Sequence, residues 1–317
     1  MIKIIEDQEV QTLVNCADAF EVIQQCYRDV ACGRASVSQP SAMTLASVAG
    51  AQATFKTKGA ILDNLNVAGF RLVADSNVLL GDGTSYVYLM SLDAAAPIAF
   101  VGENWLHRLR TASSALVACR KLAAPTASTL ALIGTGRIAE QFVRIVDSQF
   151  PGLRIILSSR SAERARSTAQ RWSALTSNEL SAANSIAEAV AAADIVVTLS
   201  DADERLFKAT DLKPGALVCS LGGQHEFDVD VLEAADKFVV DEIDFVCNAG
   251  NGAHWIESGQ ITRERMEQRV DATLGELLSS NQPRTGNGIV LAIVQGMAVC
   301  DIALAKLAYD RAIERDR

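Results

Sequence analysis

Residues 130–146 read LALIGTGRIAEQFVRIV: an apolar run, a Gly134-Thr135-Gly136 turn, then helical spacing. A strand that passes through two glycines directly into a helix leaves the amides of the helix start exposed at the strand end, where an anion can bind. Gly134 permits the tight turn and Gly136 lets a pyrophosphate approach the backbone. Ala139 stands where a third glycine brings helix against strand. A plain β–α corner would carry the same turn. The apolar strand before it, the helix after it and a further strand end about twenty residues on favour the dinucleotide reading. Downstream, LRIILSS, DIVVTLS, ALVCSLGG and KFVVDEI read as strands, with helical AEQFVRIVDSQF, SAERARSTAQRWSAL and SIAEAVAAA between them. Strands alternating with helices predict a parallel sheet covered on both faces.

Earlier in the chain the rhythm differs. Residues 6–32 carry helical spacing through Val10, Leu13, Val14, Phe20, Ile23, Tyr27 and Val30, ended by Gly33. After a loop around GRASVSQP come the strand-like ATFKTK, AGFRLVAD, SYVYLMSLD and APIAFVGE, with Gly81-Asp82-Gly83 as a turn between two of them. RLRTASSALVACRKLA is helical and stops before Pro125. From about Ile289 the tail, VLAIVQGMAVCDIALAKLAYDRAIE, reads as one long Ala-rich helix able to return to the first domain. The expected fold is α/β: a Rossmann-like doubly wound parallel sheet over residues 114–289, inserted into a discontinuous, mainly antiparallel α+β domain for dimerisation and substrate. That second domain takes residues 1–113 and 290–317.

The nucleotide is decided where the second strand ends, IILSSRS. An acidic residue there bonds the ribose 2′-hydroxyl of NAD, whereas a 2′-phosphate needs donors and positive charge. Ser158, Ser159 and Arg160 stand at this tip, with Arg164 one turn on and Arg137 on the glycine loop. NADP(H) is expected ahead of NAD(H). Thr135, Ile138, Thr198, Leu199, Ser200, Leu221 and Gly222, at the turn and the two following strand ends, complete the expected cofactor set.

A formal net charge of −9 disfavours nucleic acid and anionic membrane as partners. Seven cysteines without a C-x-x-C pair, and no basic-then-apolar leader or membrane-length apolar run, point to reduced thiols in a soluble cytoplasmic protein. Three histidines, distant in sequence and none at ligand spacing from a cysteine, predict no metal site.

NWLHRLRTASSALVACRKLA, GTGRIAEQ, SSRSAERA, ADIVVTLS, LKPGALVCSLGG and EFDVDVL, in this order, resemble the ornithine cyclodeaminase and μ-crystallin family over nearly the whole chain, most specifically at Arg110-Thr111-Ala112-Ser113. The resemblance implies that Arg110 holds a substrate carboxylate, a task its planar, permanently charged fork suits. It also implies a lysine in a G-[VF]-K strand, where this chain has Gly69-Phe70-Arg71. Arg71 can clamp a carboxylate but cannot shuttle a proton. Lys56 and Lys58, two apart in a strand, share a face, either toward the pocket in place of a family arginine or on an exposed edge.

Gln224 stands where cyclodeaminases carry an aspartate, and an amide accepts no proton at neutral pH. His225 is either the replacement acid or a surface residue, and His107 lies one turn before Arg110 on the same helix face. Glu226 and Asp228 match an E-[LF]-D element expected to cap the next helix. His254 is read as structural.

The chemistry expected first is an NAD(P)H-dependent reductase of a small imino or keto acid, or the reverse amino-acid dehydrogenase, since a preformed iminium carries its own proton. A cyclodeaminase, an opine-like synthase of secondary metabolism and a μ-crystallin-like NADPH-dependent ligand binder are the alternatives. A carboxylate-bearing substrate and a homodimer are the expected partners.

Overall fold

The computed structural model describes residues 2–46, 53–76, 85–200, 202, 204–221, 223, 225–280, 284 and 286–317. The expected Gly81-Asp82-Gly83 turn, Gly222 and Gln224 lie outside them. The chain divides into two compact units, Met1–Arg110 with Gly296–Arg317, and Thr111–Gln295.

The first unit has seven strands: β1 (Lys3–Ile5), β2 (Ala35–Val37), β3 (Met43–Ala46), β4 (Ala53–Leu62), β5 (Val67–Ser76), β6 (Ser85–Ser91) and β7 (Ala96–Gly102). They lie in the order β1-β7-β6-β5-β4-β2, with β3 also on β4, and among the described residues only the β1–β7 pair is parallel. The single helix expected over residues 6–32 is instead two, α1 (Asp7–Leu13) and α2 (Cys16–Ala31). Val14 turns extended, and Asn15 opens α2 with a reciprocal cap to Asp18, a local competition that hydrophobic spacing does not register. Part of the loop expected around GRASVSQP is the short strand β2.

The C-terminal helix, Ala298–Arg315, packs on α2, β4 and β5. Ala298, Ala303, Ala305, Ala308 and Ala312 are buried along it and let it approach closely. At Gly69 an added Cβ would lie 2.4 Å from the Tyr88 carbonyl and 3.3 Å from Ile302. Strand alternation then sorts β4 and β5. Lys58, Ala60, Leu62, Val67 and Arg71 are buried, while Phe55, Ile61 and Phe70 on the other face are exposed.

The second unit is an eight-stranded sheet: β8 (Thr129–Ile133), β9 (Arg154–Ser158), β10 (Glu179–Ala182), β11 (Ile195–Thr198), β12 (Leu217–Ser220), β13 (Lys237–Val240), β14 (Ala272–Thr273) and β15 (Val290–Ile293). Every pair is parallel, in the order β10-β9-β8-β11-β12-β15-β13-β14. The chain steps one way from β8 to β10, then restarts on the other side at β11. The strand order therefore reverses between β8 and β11, where such sheets open a crevice at their carboxyl ends.

Strand β15 corrects the reading of the tail as one helix. Val290–Ile293 is fully covered between β12 and β13, and a short apolar run buried on both sides has no period to betray it. The helix α3 (Asn104–Leu122) spans the division between units at Arg110. Two more helices matter below, α4 (Arg137–Ile145) and α5 (Ala162–Trp172).

No disulfide joins the seven cysteines, all of which lie among the described residues. Scattered in sequence, four of them meet in space: Cys26 with Cys300 in the first unit, and Cys119 with Cys219 in the second, each pair buried and thiol to thiol. Among the described residues, no helix is long and apolar enough to cross a membrane.

Candidate functional site

In the second unit the glycine turn lies at the point of strand reversal. Gly134 follows β8 with φ +121°, a conformation that L side chains rarely adopt, and its N–H donates to the Ser158 carbonyl at 2.9 Å. A Cβ there would strike the Leu199 carbonyl at 2.2 Å, so the turn after β8 is pressed against the end of β11. Gly136 is the N-cap of α4, has no side chain to cap it, and a Cβ on it would meet nothing within 4 Å. A bare helix start with open space before it fits a dinucleotide's pyrophosphate. Ala139, fully buried, lets α4 rest on the sheet.

At the next strand end, Ser158 is buried, Ser159 Oγ donates to the Ser161 carbonyl at 2.8 Å, and Ser161 caps α5 by accepting from the Arg164 amide. Arg137, Arg160 and Arg164 are exposed. Arg160 lines a cavity of about 450 Å3 with Ile186, Ala202, Glu204, Arg205 and Leu206.

Thr198 and Ser200, expected at the cofactor, also bond to a buried acid, Glu226. Glu226 is fully buried; its Oε2 accepts from Thr198 Oγ1 at 2.6 Å and from Ser220 Oγ at 2.7 Å. Its backbone N–H donates to Asn251 Oδ1 at 3.0 Å, and Asn251 Nδ2 donates to Ser220 Oγ at 3.1 Å. Burial raises this carboxyl above its ordinary range, and the Thr198 and Ser220 hydroxyls oppose the rise. Glu226 therefore does not cap the next helix. It ties together the ends of β11 and β12, while the Leu221 amide reaches the Thr198 carbonyl at 3.3 Å. Asp228 does occupy the cap position, without a capping bond from its side chain, and pairs with Arg205. His225 and His254, distant in sequence, stack edge to face with ring centroids 4.1 Å apart.

The first unit gathers Arg71, Arg110 and Lys58 with two acids. Lys58 and Arg71 are directly opposed across β4 and β5. Arg71 Nε donates to Glu103 Oε1 at 2.6 Å and Arg110 Nε to Asp301 Oδ1 at 2.7 Å, all four side chains being buried. Lys58 Nζ donates to the Gly296 carbonyl at 3.1 Å, and a Cβ on Gly296 would fall 2.0 Å from an Arg110 terminal nitrogen. Lys56, half-buried, shares the Lys58 face of β4, so the pair faces inward rather than along an exposed edge.

Electrostatics follow from the crowding. Burial, with Arg110 and Lys56 adding to it, lowers the Lys58 ammonium from 10.5 to about 7, and Asp301 opposes the shift. Burial, then Arg71 and Arg110, lowers Lys56 as well. Burial raises Glu103 from 4.5 to about 7 against the pull of Arg71. His107, under burial and the charge of Arg110, is held well below 6.5 and is neutral at pH 7. Glu103, His107 and Asp301 offer ligand atoms within 4.8 Å of one another. Both carboxylates already accept from guanidinium groups beside two lysines, so this is an ion-pair cluster with a surplus of cations, suited to an anion.

Sequence reasoning found the basic members and missed Glu103 and Asp301. Asp301 had a signal: a lone acid in the apolar stretch AVCDIALA has to be paired when buried.

A family model described as the Ornithine cyclodeaminase/mu-crystallin family matches residues 1–316. The chain is 25% identical over 323 aligned positions to a Delta(1)-pyrroline-2-carboxylate reductase of Bacillus cereus, covering 98% of this chain and 97% of that one. It is 26% identical over 235 positions to the ketimine reductase mu-crystallin of Mus musculus, covering 74% and 72%. Among solved structures, Thermococcus litoralis Delta(1)-pyrroline-2-carboxylate reductase in complex with NADH and L-proline has the same fold, with a TM-score of 0.87, 20% identity, and 100% and 98% of the two chains covered.

The two glycines separate folding from binding. Gly134→Ala is expected to lower the melting temperature and abolish dinucleotide binding together. Gly136→Ala, with room for its methyl, is expected to melt like the wild type yet bind dinucleotide about tenfold more weakly, roughly 1.4 kcal/mol. Calorimetry and nicotinamide fluorescence titration read the two effects; unchanged binding by Gly136→Ala would move the pyrophosphate elsewhere.

Proposed function

Because the chain belongs to the ornithine cyclodeaminase/mu-crystallin family, we propose that it is an NAD(P)H-dependent reductase of a small imino or keto acid, forming an amino acid, or the reverse dehydrogenase. The observation that carries this reading is the buried cluster in which Lys58, Arg71 and Arg110 outnumber Glu103 and Asp301. A buried cluster with surplus cations suits an anionic guest, and a planar carboxylate matches the guanidinium fork. The dinucleotide supplies a hydride for the carbon of C=N when bound. Gly134, Gly136 and the start of α4 hold its pyrophosphate, with Ser158, Ser159 and Arg160 near its ribose.

The chain's own residues bind and orient. Arg110 and Arg71 fix the carboxylate, which sets the adjacent C=N carbon in one place and one orientation. Their acids, Asp301 and Glu103, hold the guanidinium planes, so the clamp is built before substrate arrives. Turnover of pyrroline- or piperideine-carboxylate, or of 2-keto acids with amines, tests the activity; a protein that binds such carboxylates without consuming the nucleotide is a binder instead. Arg110→Ala is expected to cost roughly 2–4 kcal/mol in kcat/KM, about a hundredfold, with nucleotide affinity unchanged. Intact turnover would place the carboxylate elsewhere.

NADPH is the proposed preference. The strand end bears two serines and Arg160 with no acid, and the adjoining cavity is lined by Arg160 and Arg205 with one carboxylate, Glu204. Binding titrations should show NADPH tighter than NADH, and Arg160→Asp should narrow or reverse the difference. Equal affinities in the intact protein contradict the preference.

The assembly proposed is a homodimer through the outer face of the first unit's sheet. Met43, Leu45, Phe55, Ile61 and Phe70 are exposed there, an apolar surface that a second copy would cover. Sedimentation at micromolar concentration should give twice the chain mass; a clean monomer rejects the interface.

A further inference from the structure

Reducing an imine moves a proton as well as a hydride, and Arg71 and Arg110 cannot give one up, since a guanidinium stays charged in proteins. Of the carboxylates beside them, each accepts from a guanidinium group through one oxygen, and Glu103, raised to about 7, is a rival carrier of the proton that a variant must test. His107 is held neutral and well below its ordinary range. One inward group of the cluster carries a proton on a movable atom, is only 4% exposed, and is fixed beside the clamp. We infer that Lys58 is the catalytic acid and base: its Nζ gives a proton to the substrate nitrogen in reduction and takes it back in oxidation. This rests on the reductase reading given above.

The geometry carries the assignment. Lys58 is the cross-strand partner of Arg71, and Nζ is held 3.1 Å from the carbonyl of Gly296, the residue against which the Arg110 guanidinium lies. A carboxylate gripped by Arg110 and Arg71 is therefore bound beside Nζ. In an imino acid the C=N carbon is bonded directly to that carboxylate, so its nitrogen falls within hydrogen-bond reach, roughly 2.6–3.2 Å. When the carbon of a neutral imine receives hydride, the nitrogen takes the electron pair of the π bond and the Nζ proton. An N–H bond forms, an Nζ–H bond breaks, and neutral Lys58 is reprotonated from solvent after the product leaves.

The charges around Nζ suit this role from every side. Lys56 on β4, Arg71 on β5 and Arg110 on α3 push the proton off; Asp301 on the C-terminal helix retains it; Glu103 and His107 complete the surround. Burial, with this balance of charges added to it, leaves Lys58 titrating at about 7, where it is both acid and base in the working range.

The sign differs with direction. Reduction needs protonated Lys58, so kcat/KM should fall as pH rises through about 7. Oxidation of the amino acid needs it neutral, so that rate should rise through the same value. Lys58→Met should lower kcat by at least about a hundredfold, with KM for the imine and affinity for the carboxylate product within about threefold. Lys58→Arg should restore charge without restoring turnover. Glu103→Gln, which removes the other group titrating in this range, should leave the limb in place, and loss of the limb in that variant would overturn the inference.

A direct reading needs no turnover. In lysine-15N protein, the Nζ signal absent from Lys58→Arg should titrate near 7, and one titrating near the ordinary 10.5 overturns the inference. So does rescue by Lys58→Arg, or a pH limb that survives in Lys58→Met. A wild-type protein inert toward every imino acid would sink the reductase reading itself, which an active enzyme with an unaltered limb would not.

Discussion

Two guanidinium–carboxylate pairs, Arg71 with Glu103 and Arg110 with Asp301, are buried almost completely, and the first unit is arranged around them. Removing one partner of such a pair costs about 3–5 kcal/mol, because the other charge stays behind in a poor solvent. Each pair therefore obliges its elements to come together. Arg71 ties β5 to the junction before α3, and Arg110 ties α3 to the C-terminal helix. The alanines of that helix permit the approach, and Asp301 makes it necessary. Lys58 is then buried among cations on three sides, and the burial first, with those charges adding to it, loosens its proton.

The second unit handles an anion by another route. It offers backbone instead of charge: a left-handed glycine against the Leu199 carbonyl and an uncapped helix start. Glu226 is its buried acid, yet it meets hydroxyls and an amide rather than arginine. Neutral donors hold it, and the ends of β11 and β12 are fastened beside the crevice without adding a cation to it.

How much of this the sequence disclosed depended on distance along the chain. The glycine turn was legible because strand, turn and helix are contiguous, and each glycine has a local reason. Arg110 and Arg71 were legible through residue type and resemblance. Their acids were not, since Asp301 stands 191 residues from Arg110 and no local pattern joins them. Glu226 was misread for a related reason: its place before a helix suggested a cap, and its true partners lie on other strands. Val290–Ile293 merged with the following helix because a strand covered on both faces has no alternation to show. Lys56 and Lys58 were known to share a face from their spacing, but which face depended on a helix from the far end of the sequence.

That helix also sets an order of events during synthesis. Arg71, Arg110 and Lys58 leave the ribosome with Glu103, and Asp301 follows only after 191 further residues. At about 5–20 residues per second, that interval is on the order of ten to forty seconds. Throughout it the nascent sheet has three cations and one acid on the face it must bury, so that face stays wet. The parallel sheet, by contrast, has all its strands once Ile293 is made. The unit begun first is thus the unit finished last, and its completion waits on a single carboxylate.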